Sequence, residues 1–184
     1  MRQCGDCQLC CKLLPVRSLD KGAGEKCKHQ RHHKGCSVYS RLGVVSPECR
    51  IWSCRWLTED DTAELSRPDR SHYVIDIMPD HVTLQNNETG AIEQIQVVQI
   101  WVDPGYPDAH RDPALRAFLE RRAKDRIIGL VRYDNTSGMG LFPPSLSEGG
   151  KWIEYANGVT VKEHSIAETL KALGGKLEIS IVEK

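Results

Sequence analysis

The run Cys4-Gly5-Asp6-Cys7-Gln8-Leu9-Cys10-Cys11 decides how the chain is read. Four thiols stand within eight residues. Gaps of two residues bring Cys4, Cys7 and Cys10 back to one side of a tight turn, where they can share an ion. Cys11 adjoins Cys10, and neighbouring side chains diverge, so Cys11 is better placed to serve a second centre. Cys27, Cys36, Cys49 and Cys54 follow, and no cysteine occurs after residue 54 of the 184. The full spacing is C-x2-C-x2-C-C, fifteen residues, C-x8-C, twelve residues, then C-x4-C. All eight belong to one site or one pair of sites.

Composition sets the frame for that site. The chain has room for one good-sized domain or two small ones. Its 40% hydrophobic and 27% charged content is that of an ordinary globular protein. Net charge is zero, but residues 1–57 hold eleven Lys/Arg against four Asp/Glu, and the remainder holds fourteen against twenty-one. A basic N-terminal part is one signature of nucleic-acid binding. Here it reads better as cation offsetting the charge of clustered thiolates. The basic segment also lacks the interleaved aromatics that single-strand binders use, so a nucleic-acid partner is not favoured.

No charged and then apolar leader is visible at the N-terminus, and the longest apolar run, Ile127 to Val131, is too short to span a bilayer. The expected compartment is the cytoplasm, with no membrane partner. Thiols there stay reduced, so clustered cysteines read as metal ligands ahead of disulfides.

Residues 4–57 carry only scattered apolar positions, and a short segment with so little to bury needs a metal or disulfides to hold its shape. Structural zinc sites contribute about 10–16 kcal/mol in small peptides. The sequence therefore predicts a cysteine-cluster module over 1–58, a linker over 59–70, and an α+β domain over 71–184. In that second part, strands are expected at 72–78, around Val82 and Leu84, and at 92–102, forming an antiparallel meander with a bulge near Val98. Asp112-Pro113 starts a helix. A buried strand is expected at 127–133, a hairpin around Asn157-Gly158, a helix after the capping box Ser165-Ile166-Ala167-Glu168, and a last strand within 176–184. Gly138-Met139-Gly140 and Pro143-Pro144 read as a loop. The fold class is α+β: a small metal-stapled module, then a mainly antiparallel sheet with two helices.

The spacing resembles the CxxCxxCC zinc- or iron-chelating domain family, the YkgJ-like cysteine-cluster proteins. The resemblance is carried by residues 4–11, by Cys27, by Gly35-Cys36-Ser37-Val38-Tyr39, and by Pro47-Glu48-Cys49-Arg50-Ile51-Trp52-Ser53-Cys54-Arg55-Trp56-Leu57. It covers residues 4–57 only. Relatives often carry Arg before the proline at 47, where this chain has Ser46. The resemblance implies metal binding without choosing the metal. Similar clusters in flagellin lysine methylases imply an iron–sulfur centre.

Bottom-up chemistry leaves both open. Eight thiols divide into two closed Cys4 zinc sites, and the same thiols suit iron–sulfur clusters. A single cubane leaves four cysteines over, although two cubanes do not, and on this the balance tips to zinc. The candidate ligands are Cys4, Cys7, Cys10, Cys11, Cys27, Cys36, Cys49 and Cys54. His29, His32 and His33 are possible substitutes, although a histidine in a polar loop is usually solvated. The expected function is metal binding through zinc–thiolate sites, with partner and substrate unspecified. The alternatives are an iron–sulfur enzyme, such as a methyl transferase, and a nucleic-acid-binding zinc module. Asp103, Asp108, His110 and Asp112 crowd a second candidate locus. It reads more simply as a solvated connection into the helix that Asp112 caps. Trp52 and Trp56 flank Cys54, where they are placed to exclude water.

Overall fold

The computed structural model describes residues 2–86, 89–136, 138–147, 149–156, 159–160 and 177–180. Two compact units emerge. One comprises residues 1–77, 100–115 and 132–137, and the other residues 78–99, 116–131 and 138–184.

The first unit is built from short pieces. The helix α1 (Leu9–Leu13) is followed by the two-residue strands β1 (Gln30–Arg31) and β2 (Gly35–Cys36). Four further short helices are α2 (Leu42–Val45), α3 (Pro47–Ile51), α4 (Arg55–Thr58) and α5 (Pro68–Ser71). The strand β3 (Tyr73–Ile75) comes next. Single-turn helices do not persist unaided, because nucleation is unfavourable. Tertiary packing holds them. Leu9 and Leu13, one turn apart on α1, bury with Leu14 against Val74 and Trp101. This apolar cluster was not evident from the scattered leucines of 4–57. Residues 59–70, expected as a helical turn and linker, contain a 3-10 turn and the start of α5, and bury Thr62, Leu65 and Pro68.

The second unit carries the sheet. Strand β4 (Asp80–Asn86) pairs antiparallel with β5 (Ile92–Val102), from Asp80↔Val97 to Gln85↔Ile92. The bounds of β5 are those expected from its β-branched run. The three-strand meander is corrected in one respect. Strand β3 does not pair with β4; it pairs with the far end of β5, Tyr73↔Val102 to Ile75↔Ile100. The two registers meet at residues 98–99, where the alternation of the sequence also shifts.

Helix α6 (Pro113–Arg122) starts as expected: Asp112 Oδ1 accepts the Ala114 N–H at 3.0 Å. Its Leu115, Phe118 and Leu119 are fully buried. Strand β6 (Ile128–Arg132) follows, then β7 (Gly138–Phe142), β8 (Ile153–Ala156), β9 (Val159–Thr160) and β10 (Leu177–Ser180). The strand order is β10-β4-β5-β6-β7-β8-β9. Strand β7 corrects the expected loop at 138–144. Its glycines lower strand propensity, but Gly140 lies opposite Tyr155 and Phe142 opposite Ile153, and Met139, Leu141 and Phe142 bury. Pairing decided the conformation, not propensity. The core here is Val82, Val97, Ile128, Leu130, Phe142 and Ile153.

The fold is thus α+β with a mainly antiparallel sheet. The Asn157-Gly158 turn and the helix expected at 165–173 lie outside the described residues. Among the described residues no helix is long and apolar enough to cross a membrane.

Candidate functional site

All eight cysteines are free and all belong to the first unit. Cys4 and Cys7 flank a turn in which the Cys7 N–H donates to the Cys4 carbonyl at 3.1 Å. Gly5 takes φ 58° there, a conformation that costs glycine little. The Cys4 thiol lies 3.4 Å from the Cys7 carbonyl and hydrogen-bonds the Cys7 sulfur. That bond lowers Cys7 to about 7, and main-chain amides of Leu9 and Asp69 on the same sulfur assist it. The same bond, followed by burial, pushes Cys4 well up.

Cys10 and Cys11 repeat the arrangement on α1. The hydrogen bond from Cys10 lowers Cys11 to about 7, helped by the nearby Lys21 charge. Cys10 is pushed up by that bond and by burial. The Cys27 N–H donates to the Cys11 carbonyl at 3.0 Å. The Cys27 sulfur accepts the His29 N–H at 3.4 Å. Cys36 lies in β2 in register with Gln30. Cys49 sits on α3, its thiol pushed up by burial against an opposing bond to Ser46. Cys54 precedes α4 and bridges to Asp76 beside β3. Burial pushes Cys54 up, while amides of Leu57 and Trp56 on its sulfur pull the other way.

The tryptophans divide in role. Trp52 donates to Asp76 Oδ1 at 2.9 Å and packs on the cluster that holds Cys7, Cys10 and Cys54. Trp56 instead donates to the Leu65 carbonyl at 3.0 Å, under the Arg2 guanidinium. His32 and His33 are exposed, their ring centres 3.8 Å apart.

Lys21 escaped the sequence reading. A lysine in a polar stretch reads as solvated, yet this one is only 8% exposed. Its ammonium donates to the Leu14 and Gly22 carbonyls. Desolvation lowers its pKa, while Cys27 and Cys11 are the leading charges that hold it protonated. The one signal in the sequence was its place between Cys11 and Cys27.

Among the described residues, no three His, Cys, Asp or Glu side chains gather closely enough to hold a metal ion. The thiols are neighbours, and a bound ion would have to draw them together. Soft thiolates suit zinc and iron alike.

The acidic locus of the second half separates into structural pairs. Asp103, 4% exposed, pairs with Lys12 at 2.7 Å and accepts the Gly105 N–H. His110 is buried, with Nδ1 2.8 Å from the Pro107 carbonyl. Asp108 pairs with Arg111 at the surface. Asp112 caps α6 and accepts the Tyr73 hydroxyl at 2.8 Å. The solvated connection expected there is in fact partly buried. Beside it lies an open cleft of about 580 Å³, lined by Ser66, Arg70, His72, Tyr106 and Arg111 among others, with His72 and Tyr106 stacked at 3.5 Å.

Comparison with known protein families, with curated proteins and with solved structures finds no match to this chain.

Proposed function

We propose that this protein binds metal through cysteine thiolates, that the ion is zinc, and that it staples the cysteine-rich segment of residues 1–58. The observation that carries this reading is the disposition of the thiols. All eight are free and confined to residues 4–54 of one unit. Main-chain amides of Leu9 and Asp69 on the Cys7 sulfur favour thiolate over thiol there. Closed structural zinc sites take four such ligands, and eight thiolates satisfy two of them.

Elemental analysis of reduced protein, purified without oxygen, tests it. A colourless preparation with about two zinc ions per chain is expected. Less than about one metal ion per chain would overturn metal binding altogether.

A second reading is an iron–sulfur enzyme. It gains from the cleft beside His72 and Tyr106, because an enzyme needs a substrate pocket and this one lies in the thiol-bearing unit. Brown protein that releases sulfide in acid would put this reading first.

A further inference from the structure

We propose that the open cleft beside His72 and Tyr106 binds a nucleoside phosphate, its base stacked on Tyr106 and its phosphate held by Arg70 and Arg111. The proposal stands apart from the thiols: every residue lining the cleft lies in 66–72 or 106–112 of the first unit, and none is a cysteine.

The aromatic platform is fixed by the main chain. Helix α5 ends at His72, whose φ of 62° is left-handed and whose N–H donates to the Pro68 carbonyl at 2.8 Å. Glycine or asparagine is the usual residue at such a helix end. Here a histidine stands there, and its ring lies on Tyr106, with centres 3.5 Å apart and planes 8° from parallel. The Asp103 N–H donates to the His72 carbonyl at 2.9 Å, the Tyr106 N–H to the Asp103 carbonyl at 2.8 Å, and the Ala109 N–H to the Tyr106 carbonyl at 2.9 Å. Lys12 anchors Asp103 in turn, at 2.7 Å. A ring held this way loses little freedom when a ligand stacks on it. His72 covers one face of Tyr106, yet the tyrosine is 52% exposed, so the exposed part includes ring surface that the histidine leaves open. A planar base can use that surface, whatever its identity, because every base has a π-face.

The polar lining supplies the anion contacts. Two arginines and two aspartates face the cleft. Asp112 is committed to the Ala114 N–H and the Tyr73 hydroxyl. Asp108 pairs with Arg111 at 3.0 Å. Arg70 is exposed and makes no ion pair among the described residues. The carboxylate next to it, Asp69, is taken by Arg67 through two bonds of 2.6 Å. Arg70 is therefore left with its guanidinium fork for a ligand, and that fork matches phosphate oxygens. Ser66 adds an exposed residue with a hydroxyl to the same wall. The volume of about 580 Å³ falls within the range of small-molecule sites. A bare anion would leave most of it empty, whereas a base and sugar beside the phosphate would use it.

Titration calorimetry on the full, reduced chain tests the proposal with AMP, adenosine and inorganic phosphate as probes. AMP should bind with a Kd below about 1 mM, and adenosine and phosphate should each bind at least about tenfold more weakly. Tyr106→Ala and Arg70→Ala should each weaken AMP about tenfold. Asp108→Asn removes a negative charge from the wall and should tighten AMP about threefold. No AMP binding at about 10 mM, phosphate binding equal to that of AMP, or AMP binding that survives both Tyr106→Ala and Arg70→Ala overturns the proposal. NMR of the wild-type protein needs no variant to fold. The Tyr106 ring protons should shift on addition of AMP and not of phosphate, and AMP-induced shifts that leave Tyr106 untouched overturn the stacking and the proposal with it. None of these readouts depends on metal content, so failure here leaves the zinc reading as it stands.

Discussion

Leu13→Ala measures how far the cysteine-rich segment is held by apolar packing and how far by its thiols. Leu13 is 1% exposed, among Leu9, Leu14, Val74 and Trp101. Truncation removes three carbons, and at about 0.8 kcal/mol per buried methylene it forfeits about 2.4 kcal/mol. The cavity adds to this, because strand β3 is fixed by its pairing with β5 and cannot close in freely. Leu→Ala changes in cores cost about 2–5 kcal/mol, and about 3 kcal/mol is expected here. The assay is urea unfolding followed by tryptophan fluorescence, since Trp101 lies in the cluster. It should be run with excess zinc and again with chelator. A double-mutant cycle with Val74→Ala should give a coupling of about 0.5–3 kcal/mol. A penalty below about 1 kcal/mol in both conditions, with no coupling to Val74, would refute the shared core.

Three further outcomes follow from other contacts. Tyr73→Phe removes the bond to Asp112 and should cost about 1–2 kcal/mol. Burial, then that bond, raises the Tyr73 hydroxyl above its usual value, so its contribution is present below pH about 10 and lost as pH rises further. The alkaline decline in denaturation midpoint should be shallower in the variant. Arg116→Ala removes the 3.0 Å pairing of the buried Glu154 carboxylate and uncovers Trp152; thermal unfolding should show a loss of about 2 kcal/mol. In chelated, reduced protein, mass spectrometry should find alkylation of Cys11 rising through pH about 7 and then levelling, and Lys21→Met should move the midpoint upward.

What was legible in the sequence was local. Ile92 to Val102 is β-branched over most of its length, and its strand has the bounds expected. Asp112-Pro113 places a capping oxygen and a preset φ together, and the helix starts there. Strand β7 was hidden because Gly138 and Gly140 read as loop until Tyr155 and Ile153 face that strand. The cluster under the cysteines was hidden for a different reason. A five-residue helix is too short to show a period, and half of the cluster, Val74 and Trp101, comes from far along the chain. The candidate ligands could be named from their spacing.

These two kinds of information bear on how a metal would act. Small zinc modules that lack a core fold only when the ion binds, so the binding free energy is their folding free energy. The cysteine-rich segment differs, because Leu9, Leu13 and Leu14 already bury against Val74 and Trp101. Packing holds Cys7, Cys10 and Cys54 against one apolar cluster, so an ion bound there would spend less of its binding free energy on ordering that part of the chain. The hairpin of Cys27 and Cys36 has no comparable support: Gln30, Arg31, Gly35 and Cys36 all lie outside the buried core. An ion held by the thiols of that hairpin would order more chain, and loop closure and side-chain entropy would weigh against it. The buried Lys21 opposes that cost by favouring charge at the same place. Thiolates of one type would thus hold an ion more tightly where the chain is already packed than where binding must order it.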